Sequence, residues 1–272
     1  MTIRRVNRGR SHSYVDDTGA RVPGVTTIIG DGIPKKALIN WAANSTAEYA
    51  VDHWADLGDL PPSVRLKKLT GARYEDRDTA ANKGTRVHAL AERLVRGERV
   101  TVPDELAGHV EAYVAFLDEF AVEPILVERV VWSQAHGYCG TFDLVASLLD
   151  PDDPEPDPAL RARKTWLLDL KTNRSGIFGE TALQLAAYRY AEFYIDDYGD
   201  EMDMPEVECT GAVHVRADGY DLVPVEAGEA QHRTFLYARQ IAEFVAHSRE
   251  LVGEPVVSPA SSVYRLTKEE PW

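Results

Sequence analysis

The sequence predicts an α/β protein: a mixed β-sheet flanked by helices, with a helical part added on the N-terminal side. Three observations predict it. Apolar runs of strand length cluster between residues 125 and 225. Stripes of helical period precede, interrupt and follow them. The core order of helix, three strands, helix and strand makes the early strands antiparallel neighbours and returns the last one through a helical crossover.

The elements follow in chain order. Residues 1–33 carry turn and strand signals: Ser13-Tyr14-Val15 and the run Val22 to Ile29 flank Asp16-Asp17-Thr18-Gly19, a hairpin turn. Pro34 opens a helix in which Leu38, Trp41, Ala42, Ser45 and Tyr49 recur at helical spacing to about Trp54. Residues 57–75 hold a Pro-Pro break and a basic piece, Arg65-Leu66-Lys67-Lys68. A helix is expected from Arg77 to Arg96, with Val87, Leu90, Ala91 and Leu94 as its apolar stripe and Gly97 as its stop. Another should run from Pro103 to Phe120, with Leu106, Val110, Tyr113, Val114 and Leu117 inward.

Ile125 to Trp132 and Tyr138 to Ser147 read as strands joined by the turn Ala135-His136-Gly137. Residues 150–158, rich in Pro and Asp, read as a solvated loop. Trp166 to Thr172 is a buried strand, an apolar run ending in charge and then turn chemistry. A helix is expected from Gly179 to Tyr198, and residues 196–208 should be acidic and irregular. Strands over Val207 to Val215 and Tyr220 to Val225 enclose the turn Asp218-Gly219. A last helix, Gly228 to Val252, presents Phe235, Leu236, Arg239, Ile241, Phe244 and Val245. The organisation is an N-terminal hairpin and helical extension (1–75), a core (76–252) and a tail without strong pattern (253–272).

The bulk properties exclude several classes. No apolar run is long enough to span a bilayer, and Met1-Thr2-Ile3-Arg4-Arg5 lacks the apolar centre of a secretory signal, so a cytoplasmic protein without a membrane partner is expected. Cys139 and Cys209 are the only cysteines, too few for a four-cysteine zinc or iron–sulfur site. Net charge is −14, which argues against a nucleic-acid partner until its distribution is read. Residues 1–100 carry 17 Lys/Arg against 12 Asp/Glu, whereas residues 101–272 carry 13 against 32. A basic front with an acidic rear can bind a polyanion, because affinity follows local patches; the same asymmetry also serves solubility alone.

The chemistry gathers on the Trp166–Thr172 strand. Asp169 and Lys171 alternate onto one face, about 6.5 Å apart along the strand, with Leu170 on the other. Asp-x-Lys alone is a weak signal, equally a strand-end ion pair, although no other Lys here has an acid two positions earlier. On the preceding strand, Phe142, Leu144 and Ala146 are expected on one face and Thr141, Asp143 and Val145 on the other. An acid among Phe, Leu and Val is normally paired or metal-bound. If the strands align, Asp143 and Asp169 converge, and two close carboxylates call for a cation such as Mg²⁺ or Mn²⁺. His88, on the helix stripe beside Val87 and Ala91, is by itself more often a core residue than a ligand. Gln184 and Tyr188, four apart, share one helix face.

These pieces in this order resemble the PD-(D/E)XK nuclease superfamily, specifically its RecB-like branch. The match rests on Gly84…His88, Gly140-Thr141-Phe142-Asp143, Asp169-Leu170-Lys171 and Gln184…Tyr188, across roughly residues 80–215. The opening, Val22 to Ile29 with Leu38…Trp41-Ala42, also resembles phage-encoded members of this branch. Many relatives carry a four-cysteine iron–sulfur cluster, which this chain cannot supply.

The resemblance implies a restriction-endonuclease-like core of αβββαβ order. It implies that His88, Asp143, Asp169 and the Leu170 carbonyl ligate Mg²⁺ or Mn²⁺. Lys171 would activate the attacking water and stabilise the transition state, and Gln184 and Tyr188 would position Lys171 and the DNA strand. Glu128 is a candidate outer or second-metal ligand, or equally a strand-surface charge beside Arg129. Lys83, Arg86 and Arg174 are the leading phosphate contacts, with Arg65, Lys67 and Lys68 behind them. The expected activity is exonucleolytic cleavage of DNA in phage or bacterial recombination or repair, alongside a recombinase or single-strand-annealing protein. A flap or junction endonuclease and a non-catalytic DNA-binding assembly subunit are the alternatives.

Overall fold

The computed structural model describes residues 3–8, 11–34, 36–173 and 176–256. Arg174 and the tail from 257 onward lie outside the described residues, as does the side chain of Leu38. Three short strands, β1 (Arg4–Arg8), β2 (Ser11–Val15) and β3 (Arg21–Val22), form a small antiparallel sheet. Helices α1 (Val25–Gly32), α2 (Lys36–Asp52), α3 (Trp54–Gly58), α4 (Pro62–Val95) and α5 (Ala107–Glu119) follow. The remaining elements are β4 (Glu123–Ser133), β5 (Tyr138–Leu149), β6 (Arg163–Lys171), α6 (Glu180–Arg189), β7 (Phe193–Ile195), β8 (Glu201–Asp203), β9 (Cys209–Arg216), β10 (Gly219–Pro224) and α7 (Glu229–His247).

Strands β4 to β10 form one mixed sheet in the order β10-β9-β6-β5-β4-β7-β8. Neighbours are antiparallel except β6 and β9, which are parallel and joined through α6, as the expected crossover requires. Trp166 to Leu170 are all buried because β6 lies between β5 and β9 at the centre of the sheet. Helices cover both faces. Ala91 of α4 and Tyr113 and Phe116 of α5 pack on Leu144, Leu168 and Val213. On the opposite face Val25, Ile28, Leu185 and Phe235, from α1, α6 and α7, pack on Tyr138, Val145 and Leu167. A third cluster, Ile3, Tyr14, Trp132 and Cys139, fastens the small sheet to the large one. Among the described residues no helix is long and apolar enough to cross a membrane.

Four expectations are corrected. The strand signal of Val22 to Ile29 ends at Pro23-Gly24, and the β-branched run becomes helix α1. Val25, Ile28, Ile29 and Gly32 are its buried residues, at helical spacing, so burial against α6 and α7 overrides local β propensity. Helix α4 starts at Pro62 rather than Arg77, since Pro62 opens it at N1 instead of breaking it. Helix α6 stops at Arg189 rather than Tyr198; the end of the expected helix becomes β7, which pairs with β8 from the segment read as irregular to form an edge hairpin. Its turn is organised by the Asp196 carboxylate, which accepts from the Tyr198 and Asp200 amides at 2.8 and 2.9 Å, and by Gly199 at φ 87°. Finally, Phe142 packs with Val145, not with Leu144 and Ala146. Opposite that turn of faces, on β4, Glu128 lies between the pairs Val127–Leu144 and Arg129–Phe142 with φ 50°.

Helix α1 crosses α7 so closely that a Cβ on Gly32 would fall inside the Ala238 backbone. Gly32→Ala is therefore expected to destabilise the protein by roughly 1–3 kcal/mol. Gly30, two positions away, meets nothing within 4 Å, and Gly30→Ala should stabilise by about 0.5–1 kcal/mol through helix propensity. Denaturant midpoints of the two variants should move in opposite directions; movement in the same direction would contradict the packing.

Candidate metal centre

The site lies where β5 and β6 part. Their ladder runs from Leu149–Arg163 to Leu144–Leu168. Just past that pair, one residue on along β5 and two along β6, the Leu170 amide donates to the Asp143 carboxylate, at 2.6 Å. Asp143 thus sits between two central strands with one oxygen satisfied by the main chain. Leu170 meets the cluster through this amide while its side chain is buried on the α4/α5 face.

Three elements bring charge to Asp143. Helix α4 supplies His88, whose Nδ1 is 3.7 Å from Asp143 Oδ2. Strand β4 supplies Glu128 from the left-handed backbone noted above, a conformation uncommon outside glycine. Ligand atoms of His88, Glu128 and Asp143 all lie within 4.8 Å of one another. Strand β6 supplies Asp169 and Lys171, joined at 2.7 Å. Gln184 of α6 ties that pair together: its Nε2 donates to Asp169 Oδ1 at 2.7 Å, and its Oε1 accepts from Lys171 Nζ at 3.2 Å. Gln184 Nε2 also donates to the Tyr188 hydroxyl at 3.2 Å, so the helix face seen in sequence is a continuous polar relay.

The motif glycines have packing reasons. A Cβ on Gly140 would lie 2.5 Å from the buried Tyr188 ring, so Gly140 makes room for the residue that props Gln184. A Cβ on Gly84 would lie 3.0 Å from Thr172 Oγ1, so Gly84 lets α4 approach the end of β6 and deliver His88.

Burial and mutual charge set the protonation states. Burial pushes the His88 imidazole down, but Asp143, with Asp169 and Glu128 behind it, more than reverses this and holds it at about 9. Burial raises Asp143, and His88, the Leu170 amide and Lys171 together bring it below the usual carboxylate range. Asp169 is raised to about 6, by burial first and Asp143 next, against the pull of Lys171. Glu128 is raised to about 7 by burial, Asp143 and Glu92. The Tyr188 hydroxyl is raised well above its usual range by burial.

Next to the cluster a cavity of about 20 Å³, room for about one water, is lined on its polar side by His88, Glu92, Tyr113, Glu128 and Asp143. Hard carboxylate oxygens with one imidazole around a space of that size can hold Mg²⁺ or Mn²⁺. The close trio contains Glu128 where Asp169 was expected; Asp169 is turned toward Lys171 and Gln184.

The predicted phosphate contacts are less uniform. Arg86 is paired with Glu105 at 2.9 Å. Arg65 donates to the Gly58 and Leu60 carbonyls, tying α4 to the end of α3. Lys83 is half-buried on α4, and Lys67 and Lys68 are exposed. Sequence reasoning missed Arg5, whose Nη1 lies 3.8 Å from Glu128 Oε2; nothing in the sequence pattern links a residue of β1 to β4. No family model matches the chain, and no curated protein does.

Glu128 yields a prediction with a definite sign. Its folded pKa, about 7, lies above the unfolded 4.5, so its burial is free of cost at low pH and costs stability as pH rises through 7. Glu128→Gln in metal-free protein should therefore stabilise by roughly 1–3 kcal/mol near pH 8, with the gain vanishing near pH 4.5. Thermal melts across that range test it; a gain independent of pH would show that Glu128 is not under electrostatic strain.

Proposed function

We propose that the chain is a divalent-metal-dependent deoxyribonuclease of the PD-(D/E)XK superfamily, in its RecB-like branch, and that its sheet and helices are a restriction-endonuclease-like core. The exonuclease activity expected of that branch is the reading adopted. The observation that carries it is the convergence of Asp143, Asp169 and Lys171 at the parting of β5 and β6, with Gln184 bonded to both Asp169 and Lys171. Simple structural ion pairing gives no reason to gather three carboxylates and a histidine around one water-sized space.

In this reading His88, Glu128 and Asp143 hold Mg²⁺ or Mn²⁺, with Asp169 beside them. The cation supplies Lewis acidity toward the phosphate and the attacking water. Lys171 neutralises charge that builds on the phosphate oxygens as the bond breaks. Asp169 and Gln184 hold the Lys171 ammonium in place, and Tyr188 holds Gln184. Asp169 is ionised above about pH 6, so at neutral pH it both anchors Lys171 and can accept a proton.

Three outcomes are expected. End-labelled linear DNA should release nucleotides with Mg²⁺ or Mn²⁺ and none after chelation, while closed circular DNA is spared. Cutting of the circle would favour the endonuclease alternative, and binding without cleavage under either metal would favour the assembly-subunit reading. Lys171→Ala should lower kcat by about 10²–10³-fold or more and leave DNA affinity within about twofold, because the lost interaction belongs to the transition state. Mn²⁺ binding to DNA-free protein near pH 7.5 should release about one proton, since His88 is protonated below about 9 and must lose its proton to ligate. Calorimetry in buffers of different ionisation enthalpy measures this, and binding without proton release would remove His88 from the ligand set.

A further inference from the structure

The N-terminal hairpin has no role in the chemistry above, yet it is fixed firmly beside the site. In the β1–β2 ladder Arg5 is opposite Tyr14, so the two side chains share a face. That face is turned to the core. The Tyr14 hydroxyl bonds Thr141 Oγ1 at 2.8 Å, two residues before Asp143. Ile3 and Tyr14 are buried with Trp132 and Cys139, and the Cys139 amide donates to the Pro23 carbonyl at 3.1 Å. Arg5 is thereby held at the rim of the acidic cluster, with 35% of its side chain exposed.

A counter-ion role for Glu128 is the simpler explanation, but the geometry serves it poorly. At 3.8 Å the contact is beyond hydrogen-bond reach, and Arg5 is the weakest of the charges acting on Glu128, which stays raised to about 7 despite it. The guanidinium makes no hydrogen bond among the described residues, so its forked donors are free for an oxyanion. Arg86, the cation that sequence favoured for this task, stands in an exposed pair with Glu105 at 2.9 Å.

We propose that Arg5 is a substrate-positioning residue: its guanidinium binds a backbone phosphate of the nucleic acid near the bond to be cut, and the N-terminal hairpin forms one wall of the substrate path. This inference rests on the nuclease reading. Arginine suits the task because its planar fork matches two phosphate oxygens, and a hairpin clamped to β5 fixes that fork relative to Asp143.

The test uses the full chain with a labelled oligonucleotide, Ca²⁺ replacing Mg²⁺ in the binding measurements. Arg5→Ala should weaken DNA binding by about fivefold or more and flatten the dependence of log affinity on log salt by about 0.7–0.9. KM should rise with kcat within about twofold, and Mn²⁺ affinity without DNA should be unchanged. Arg5→Lys should keep the salt slope, and Arg5→Gln gives the same readouts should the alanine variant fail to fold. Unchanged affinity and slope in a wild-type enzyme that binds and cuts DNA would overturn the role of Arg5 alone. A rise in Mn²⁺ affinity without a change in slope, the effect of removing a positive charge beside Glu128, would reduce Arg5 to a counter-ion of Glu128 and also overturn it. A wild-type chain that neither binds nor cuts DNA would overturn the nuclease reading itself.

Discussion

The structure of the site depends on one exchange of hydrogen-bond partners. Strands β5 and β6 pair up to Leu144–Leu168, and then the Asp143 carboxylate takes the Leu170 amide. A buried amide left unpaired would be costly, and so would a buried carboxylate; this bond satisfies part of both needs at once. It also places a negative charge in the middle of the sheet, and the neighbouring elements answer that charge. Helix α4 presents His88 on one side, while Lys171 and Gln184 stand on the other.

The answer is incomplete in a way that bears on function. Asp143, Asp169 and Glu128 face one ammonium, one imidazole and, at the rim, the Arg5 guanidinium, yet burial still pushes Glu128 up to about 7 and Asp169 up to about 6. Carboxylates crowded like this are raised because water cannot reach them and because they repel each other. A divalent cation relieves both causes, which is the physical link between the strained protonation of this cluster and the metal chemistry proposed for it. The left-handed backbone at Glu128 adds a second local cost in the same place, as is common where geometry serves a site.

The scaffold is shaped to deliver these groups rather than to maximise its own packing. Gly140 yields space to Tyr188, Gly84 to Thr172 and Gly32 to the α7 backbone. In the first two cases the missing side chain lets a helix come close to the sheet beside the charged residues it contacts: α6 to Asp169 and Lys171, α4 to Asp143. The hairpin works in the same manner from outside the sheet: Tyr14 fixes it to Thr141, and Arg5 is thereby brought to Glu128.

Much of this was legible in the sequence, because it is local. The apolar run before Asp169 announces a central strand, the Asp218-Gly219 pair a tight turn, and the spacing of Asp169 and Lys171 or of Gln184 and Tyr188 a shared face. Periodicity reports such things directly, since it follows from the geometry of a single element. It misled where burial outweighed propensity, as in α1, and where strict alternation of faces failed, as at Phe142. Glu128 read equally as a surface charge beside Arg129, but Arg129 is paired with Asp197 of the β7–β8 turn. By itself, then, the sequence determined which chemical types stand on each strand and helix and, where alternation is unbroken, as at Asp169 and Lys171, which of them share a face. Only the tertiary structure decided that Glu128, not Asp169, completes the close trio with His88 and Asp143, and that Arg5 stands over it. Those choices depend on distances between elements remote in the chain, which packing sets and no local pattern encodes.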